Sequence, residues 1–365
     1  MSKVAPNCIR FYPFHLVSGF SGAIVVRIDG FTSTRSTPDA QILLKCSRDR
    51  DKLLRELQNA PNPSEPSAHI YVPPATLDLQ EVEGWFASAW RFRDDAMTLQ
   101  DWLVERSPPI DIINQIFNRL FTLGLSRDHA RLQLDLNVSF AKASSPAIIG
   151  KARISDSMTL LAPLISSVIP TLAFTPTNTH KFINDNMIAD RPIDRIKGGT
   201  WNCICHGDLH SRNILVIEES SQALAIDPAR RGVRPWPSDH AKLCADLWIS
   251  CWASGLASHF WDQLVQWNRD FDQWLAGSWL APEIDTPNNA VYHALNWTKA
   301  NLEILFAKHF QSSDFPHWEF KLALAIEFLN LSCYMDIPTP KRAFALLSAE
   351  RLLSQMGTSL PWIDA

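Results

Sequence analysis

The sequence predicts an α+β chain of two lobes, a small β-rich one followed by a larger, mainly helical one. Three observations predict it. With 365 residues the chain can bury a sizeable core, and that length suits two domains or two lobes of one. Up to Phe92, short apolar runs of strand length recur between turn signals. Past Thr98 the apolar residues fall at helical spacing. That change of pattern places residues 1–93 in the first lobe and 94–365 in the second.

Taken in order, FYPFHLV, AIVVRI after GFSG, AQILLKC and GWFASAWRF read as strands. One helix interrupts them, starting near Ser47, with Leu53, Leu54 and Leu57 at helical spacing; turn-rich APNPSEPSAHIYVPP follows it. TLQDWL and DIINQIFNRLFTLGL open the helical part. The longest uncharged stretch, from Ser157 to His180, carries Pro163, Pro170 and Pro176 and is diluted by Ser, Thr and Asn. A membrane span needs ~20 mainly apolar residues, so a buried helix with a flanking loop is predicted there. Two short runs, ILVI and ALAI, read as strands, and five helical segments from DHAKLCADLWISCWASGL to RAFALLSAERLLSQM complete the chain. Two lobes of this kind leave a cleft, where ligands commonly sit.

Composition narrows the partners. A formal net charge of −4 with no long Lys/Arg run excludes a phosphate-tracking surface, so no nucleic acid partner is expected. No membrane association is expected, and the oligomeric state is left open. The amino terminus lacks a basic-then-apolar pattern with a cleavage site. Seven scattered cysteines show no paired CxxC spacing, which predicts reduced thiols and a cytoplasmic setting. The carboxy-terminal helices are rich in indole, from Trp248 to Trp318, predicted to pack the core, with cation caging as the other use.

The chemistry concentrates in CHGDLHSRNILVIEESSQALAIDPARRG, Cys205 to Gly232. Magnesium takes hard oxygen ligands and keeps phosphates and water as partners, which an Asn213 carbonyl and an Asp227 carboxylate at two strand ends suit. Asp208, five residues before Asn213, is then left to face a nucleophile. A loop of the form Asp-x-x-x-x-Asn, then a strand, a turn and a metal-binding Asp, is the arrangement of kinase-type phosphoryl transfer. That chemistry requires an amino-terminal Lys on the phosphates. Lys45 closes AQILLK, and Glu56 on the next helix can pair with it. Gly19, Phe20, Ser21 and Gly22 sit between strands, where two glycines let backbone N–H groups approach an anion. A competing reading puts His206, Asp208 and His210 on one strand face as ligands of a metal-dependent hydrolase. GFSG fails the nucleophile-elbow spacing by one residue, and neither the dinucleotide fingerprint nor the Gly-x4-Gly-Lys loop occurs.

HGDLHSRNIL followed by AIDPA closely resembles the aminoglycoside phosphotransferase and choline kinase superfamily. More narrowly, GFSGA, HGDLHSRNIL and IDPARRGVRPWPSDHAKL resemble the kinase-fold domain called ternary complex associated domain 9, found in bacterial conflict and signalling systems. The motifs reach to about Trp248; beyond it only helical character matches. The resemblance implies a bilobal protein kinase-like fold that uses ATP and Mg2+ to move the γ-phosphoryl group to a hydroxyl of a small molecule. It implies Asp208 as catalytic base or hydroxyl-orienting group, Asn213 and Asp227 as metal ligands, and Lys45 as the phosphate contact with Glu56 as its partner. It also implies Gly19 to Gly22 as phosphate cover and Asp239 as a brace of the catalytic loop. A protein-modifying enzyme or a nucleotide-binding module of a bacterial conflict system is the alternative it carries.

Three departures stand out. Pro228 follows Asp227, which fixes φ at that turn and disfavours switching by rotation. Gly207 stands where protein kinases carry Arg, which removes the guanidinium that meets an activation-loop phosphate. The glycine loop is short, with Phe20-Ser21 at its tip. The acceptor is not encoded in any motif; a mild acidic excess in the tail is compatible with a cationic small molecule, and a polar protein surface is equally permitted.

Overall fold

The computed structural model describes residues 7–8, 10–16, 24–31, 38, 40–91, 94–125, 151–170, 174–183, 201–253, 261–282, 287–312 and 315–356. The glycine-bearing segment Gly19 to Gly22 lies outside them.

Strands β1 (Arg10–Leu16), β2 (Ile24–Phe31), β3 (Ala40–Ser47), β4 (Gln80–Val82) and β5 (Trp85–Arg91) build the first lobe. They form one antiparallel sheet in the order β1-β2-β3-β5-β4. The four runs read from the sequence are all strands. β4 is an addition: QEV is too short and too polar to read as one. Alternation along β3 sets the function of the sheet. Ile42 and Leu44 belong to a small apolar cluster with Ala89, and Lys45 points to the other face.

That other face carries α1 (Arg50–Asn59), which starts a little later than Ser47 because Asp49 caps it, its carboxylate accepting from the Lys52 N–H at 3.0 Å. Leu53, Glu56 and Leu57 are its buried side. An acid thus sits in the middle of an apolar stripe, where it requires a counter-charge.

In the second lobe, β6 (Met97–Thr98), β8 (Ile214–Ile217) and β9 (Gln222–Ala225) make one small antiparallel sheet. β7 (Asn202–Cys205) pairs with β10 (Gly232–Pro235) in another. Around them lie α2 (Ile110–Phe117), α3 (Lys151–Val168), α4 (Thr177–Phe182), α5 (Ser238–Asp246), α6 (Gln263–Ala276), α7 (Pro287–Phe310), α8 (His317–Cys333) and α9 (Thr339–Met356). The bilobal α+β architecture expected from the sequence is therefore what the chain adopts.

The long uncharged stretch supplies most of α3, whose Ile154, Met158, Leu161 and Ile165 are buried at spacings of four, three and four while Leu160 faces outward. Among the described residues no helix is long and apolar enough to cross a membrane. The indoles pack the core. Trp248 stacks on Trp279 at 5.0 Å between centroids and meets Trp274 and Phe271 edge-on, and Trp102, Trp236, Trp248 and Trp274 are all fully buried. None of the seven cysteines is in a disulfide.

Candidate active site

The site begins with two turns that flank one hairpin. Ile214 pairs with Ala225, and the Ile226 N–H continues the ladder by donating to the Asn213 carbonyl at 2.9 Å. The ladder therefore sets Asn213 beside the end of β9, one residue from Asp227. Asp227 has φ 60° and ψ 60°, a left-handed conformation that Asp tolerates, and Pro228 then opens a single 3-10 turn, Pro228–Arg230.

Lys45 crosses from the first lobe to meet it. Its Nζ lies 2.7 Å from Glu56 Oε1 and 3.1 Å from Asp227 Oδ2, with the Lys45 side chain 12% exposed and Glu56 1%. The contact is reinforced along the same edge: Asn59 Nδ2 donates to the Ala229 carbonyl at 2.8 Å, and Arg231 pairs with Glu65. Burial alone lowers the Lys45 pKa, but Asp227 and then Glu56 outweigh it and hold the ammonium above its usual range. Burial, with the like charge of Asp227 behind it, pushes Glu56 up to about 7 against the pull of Lys45.

The loop between β7 and β8 is fixed mainly through its backbone. Asp239, at the start of α5, accepts from the His206 N–H at 2.7 Å and the Gly207 N–H at 2.8 Å. Its pKa is raised, because burial outweighs those bonds. Gly207 has φ 78°, and a Cβ there would collide with the Arg230 carbonyl and the Arg234 guanidinium. Arg234 therefore fills the space beside position 207 and donates to the Arg230 carbonyl at 2.5 Å. A guanidinium is present after all, but 9% exposed and turned inward as a brace.

His206 lies in the same frame. Its Nε2 is 2.8 Å from the Ile226 carbonyl, its Nδ1 accepts from the Asp208 N–H at 3.3 Å, and the ring stacks on Tyr71. With Nε2 donating and Nδ1 accepting, the ring has no lone pair for a metal. Among the described residues no cluster of three or more His, Cys, Asp or Glu side chains could hold one. The alternating His-x-Asp-x-His run is a braced loop and not a ligand set.

Asp208 is 25% exposed, with Oδ1 3.6 Å from Lys242 Nζ and Oδ2 3.7 Å from Arg230 Nη1. Burial pushes its pKa up, but Lys242, then His210, Arg230 and His206, overcome it and hold the carboxyl at about 2. Lys242 is in turn held by Glu327 of α8 at 3.1 Å, and its pKa is raised. Asn213 donates through Nδ2 to the Asp208 carbonyl at 3.0 Å, and the Ser211 N–H donates to Asp246 at 2.7 Å.

Asn213 and Asp227 are the residues that could hold a divalent cation. Asn213 Nδ2 and Asp227 Oδ2 are engaged, leaving an amide oxygen and a carboxylate oxygen at adjoining ends of one hairpin. Hard oxygen donors in that small number suit magnesium, which keeps waters and substrate phosphates for its other positions.

The structure thus brings Lys45, Glu56 and Asp227 into one cluster, Asn213 into register beside it, and Asp208 onto the same loop. Lys242, Arg230 and Glu327 were not anticipated. Lys242 and Arg230 each lie three residues beyond a residue that was, Asp239 and Asp227, which was the available signal.

No family model matches the chain, and no curated relative matches it. Among solved structures it is similar to an ethanolamine kinase from Plasmodium vivax, with TM-score 0.43 and 12% identity, covering 96% of this chain and 84% of that one. An amicoumacin kinase in complex with AMP-PNP and Ca2+ gives TM-score 0.41 and 10% identity over 97% and 92%. A glucosamine kinase in complex with glucosamine, ADP and inorganic phosphate gives TM-score 0.49 and 10% identity over 95% and 83%. Superpositions that loose assign neither a substrate nor a residue role to this chain.

Proposed function

We propose that this chain is an ATP- and magnesium-dependent phosphotransferase that moves the γ-phosphoryl group of ATP to a hydroxyl of a small molecule. The single observation that supports it is Lys45, which spans the two lobes to hold Glu56 and Asp227 at once. A buried ammonium between two carboxylates from different lobes is a device for placing positive charge beside a polyanion.

Asn213 and Asp227 would hold the magnesium ion, which when bound supplies charge compensation on the phosphates. Lys45 faces the donor phosphates with Glu56 fixing its direction. Asp208 accepts a hydrogen bond from the acceptor hydroxyl and aligns its oxygen with the phosphorus. The new oxygen–phosphorus bond forms as the bond to the bridging oxygen breaks; ADP leaves with that electron pair, and the hydroxyl proton departs to Asp208 or solvent. The transition state is loose, so positioning and charge compensation carry most of the acceleration and the proton moves late.

Transfer of label from γ-labelled ATP to added alcohols, with and without magnesium, tests the proposal. Asp208→Asn is expected to lower turnover by ~10²–10⁴-fold, the range of a positioned acid–base group. Asp227→Ala is expected to abolish the magnesium-dependent reaction. An unchanged rate in either variant overturns the assignment of that residue.

A further inference from the structure

The surroundings of Asp208 carry information about the acceptor. Among the described residues the charged side chains gathered there are Arg230, Lys242 and Glu327, with Asp246 behind them and the His206 and His210 rings alongside. The two acids are already engaged. Glu327, 5% exposed, is bound to Lys242 at 3.1 Å. Asp246 accepts from the Ser211 N–H at 2.7 Å and from Ser250 Oγ at 2.8 Å. Neither is left to receive a cationic substrate.

Arg230 is in the opposite condition. Its guanidinium is 40% exposed, and its ion partner among the described residues is Asp208 at 3.7 Å, beyond hydrogen-bond length. The backbone of Arg230 is held by Arg234, which places the residue while leaving the fork of donors open. Lys242, 11% exposed, lies on the other Asp208 oxygen but is compensated by Glu327, so the exposed charge beside Asp208 is that of Arg230. A protonated amine brought to this point would meet the exposed Arg230 guanidinium, whereas a carboxylate or phosphoryl group would find a planar fork able to bind it through two hydrogen bonds.

We propose that the acceptor is an acidic alcohol: a small hydroxyl compound whose carboxylate or phosphoryl group lies a few bonds from the hydroxyl and docks on Arg230 while Asp208 receives the hydroxyl. The proposal depends on the phosphotransferase reading above and specifies its acceptor class. It runs against the cationic small molecule that the acidic excess of the tail permits, because the charge that matters is the charge within reach of the hydroxyl. The bonds made and broken are those already given; Arg230 changes neither and acts by placement.

The test uses the full chain with magnesium and γ-labelled ATP, and four matched three-carbon probes: glycerate, glycerol 3-phosphate, glycerol and 3-aminopropane-1,2-diol. Transfer to at least one of the two anions is expected to exceed transfer to glycerol about 10-fold or more in kcat/KM, with the aminodiol poorest. Arg230→Gln is expected to cut the ratio of anion to glycerol about 10–100-fold, the range for a hydrogen bond to a charged group, and Arg230→Lys to restore part of it. If the aminodiol is preferred, or if Arg230→Gln slows every acceptor equally and leaves the ratio intact, Arg230 serves the donor phosphate and the proposal falls. Should none of the four be turned over, binding of the same compounds to the complex with a non-hydrolysable ATP analogue decides; anions binding no tighter than the aminodiol overturn it. Nucleotide binding and magnesium-dependent ATP hydrolysis are followed in parallel. Loss of both overturns the phosphotransferase reading itself, whereas their presence with an amine-preferring acceptor profile overturns the acceptor class alone.

Discussion

Lys242→Met separates what holds the second lobe together from what prepares Asp208. The ammonium stands between Glu327 Oε2 at 3.1 Å and Asp208 Oδ1 at 3.6 Å, with both it and Glu327 largely out of water. Removing it strands the Glu327 carboxylate without a counter-charge, and breaking one side of a buried pair costs about 3–5 kcal/mol. Replacing both partners, as Lys242→Met with Glu327→Leu, removes the stranded charge, and apolar replacement of a whole buried pair is often neutral. Stability is therefore expected to return in the double variant.

Activity is not. In both variants Asp208 loses the cation that contributes most to holding its carboxyl at about 2 against burial. The sign follows from linkage: a depressed folded-state pKa contributes stability that is present above the usual value of 3.8 and is lost as pH falls through about 2. The shift is worth about 2 kcal/mol, and Lys242 is the largest of the charges that produce it, so without Lys242 the acid-side loss of stability becomes shallower. Urea unfolding from pH 7 down to about pH 2, with label-transfer rates at pH 7, measures both quantities. A single variant within 1 kcal/mol of the parent, estimated as the ordinary surface effect, or a double variant that regains turnover along with stability, refutes the reasoning.

Two further outcomes follow from the same frame. Glu56 titrates at about 7 in the folded chain against an ordinary 4.5, so across that window the folded state binds more protons than the unfolded one and this contribution to stability declines as pH rises; Glu56→Gln is expected to flatten that slope in unfolding measured from pH 4.5 to 7. Gly207→Ala puts a Cβ against the Arg230 carbonyl at a φ of 78°, which costs about 1–2 kcal/mol from the backbone conformation alone, and an unchanged urea midpoint contradicts the geometry given for this turn.

Much of this arrangement is legible in the chain because its signals are local. A strand-end lysine, an acid on the buried stripe of the next helix, and an Asp-x-x-x-x-Asn loop ahead of a hairpin each declare themselves within ten residues or so of sequence, a span set by turns and helical periodicity. The bracing role of Asp239 was legible only through resemblance, since nothing near SDHAKL says which backbone it will meet. Glu327 marks the limit of local reading. A lone acid in LALAIEFLNL announces that a counter-charge exists, but the partner is Lys242, 85 residues earlier, and only the packing of α8 against α5 identifies it. Position 207 itself carries no guanidinium, and β10 returns one to the same space through Arg234.

Asp208 and Glu56, the carboxylates assigned to the proposed reaction, are tuned in opposite directions, and on that reading the difference divides their tasks. Asp208, at about 2, is ionised throughout the neutral range and is correspondingly a weak proton acceptor, so its value lies in direction: a fixed anion on a loop tied at His206 and Gly207 by Asp239, and by Asn213 at its own carbonyl. A loose transition state tolerates this, because the hydroxyl becomes acidic only as its oxygen bonds to phosphorus. Glu56 is held well above the ordinary carboxyl range by burial and by Asp227, and it holds Lys45 through one hydrogen bond of 2.7 Å. Protonating it weakens the tether on that side and leaves the ammonium to Asp227 alone, 3.1 Å away, which competes with a metal ion for the same carboxylate. On the proposed reaction, protonation of Glu56 would therefore act through Lys45, the cation proposed to face the donor.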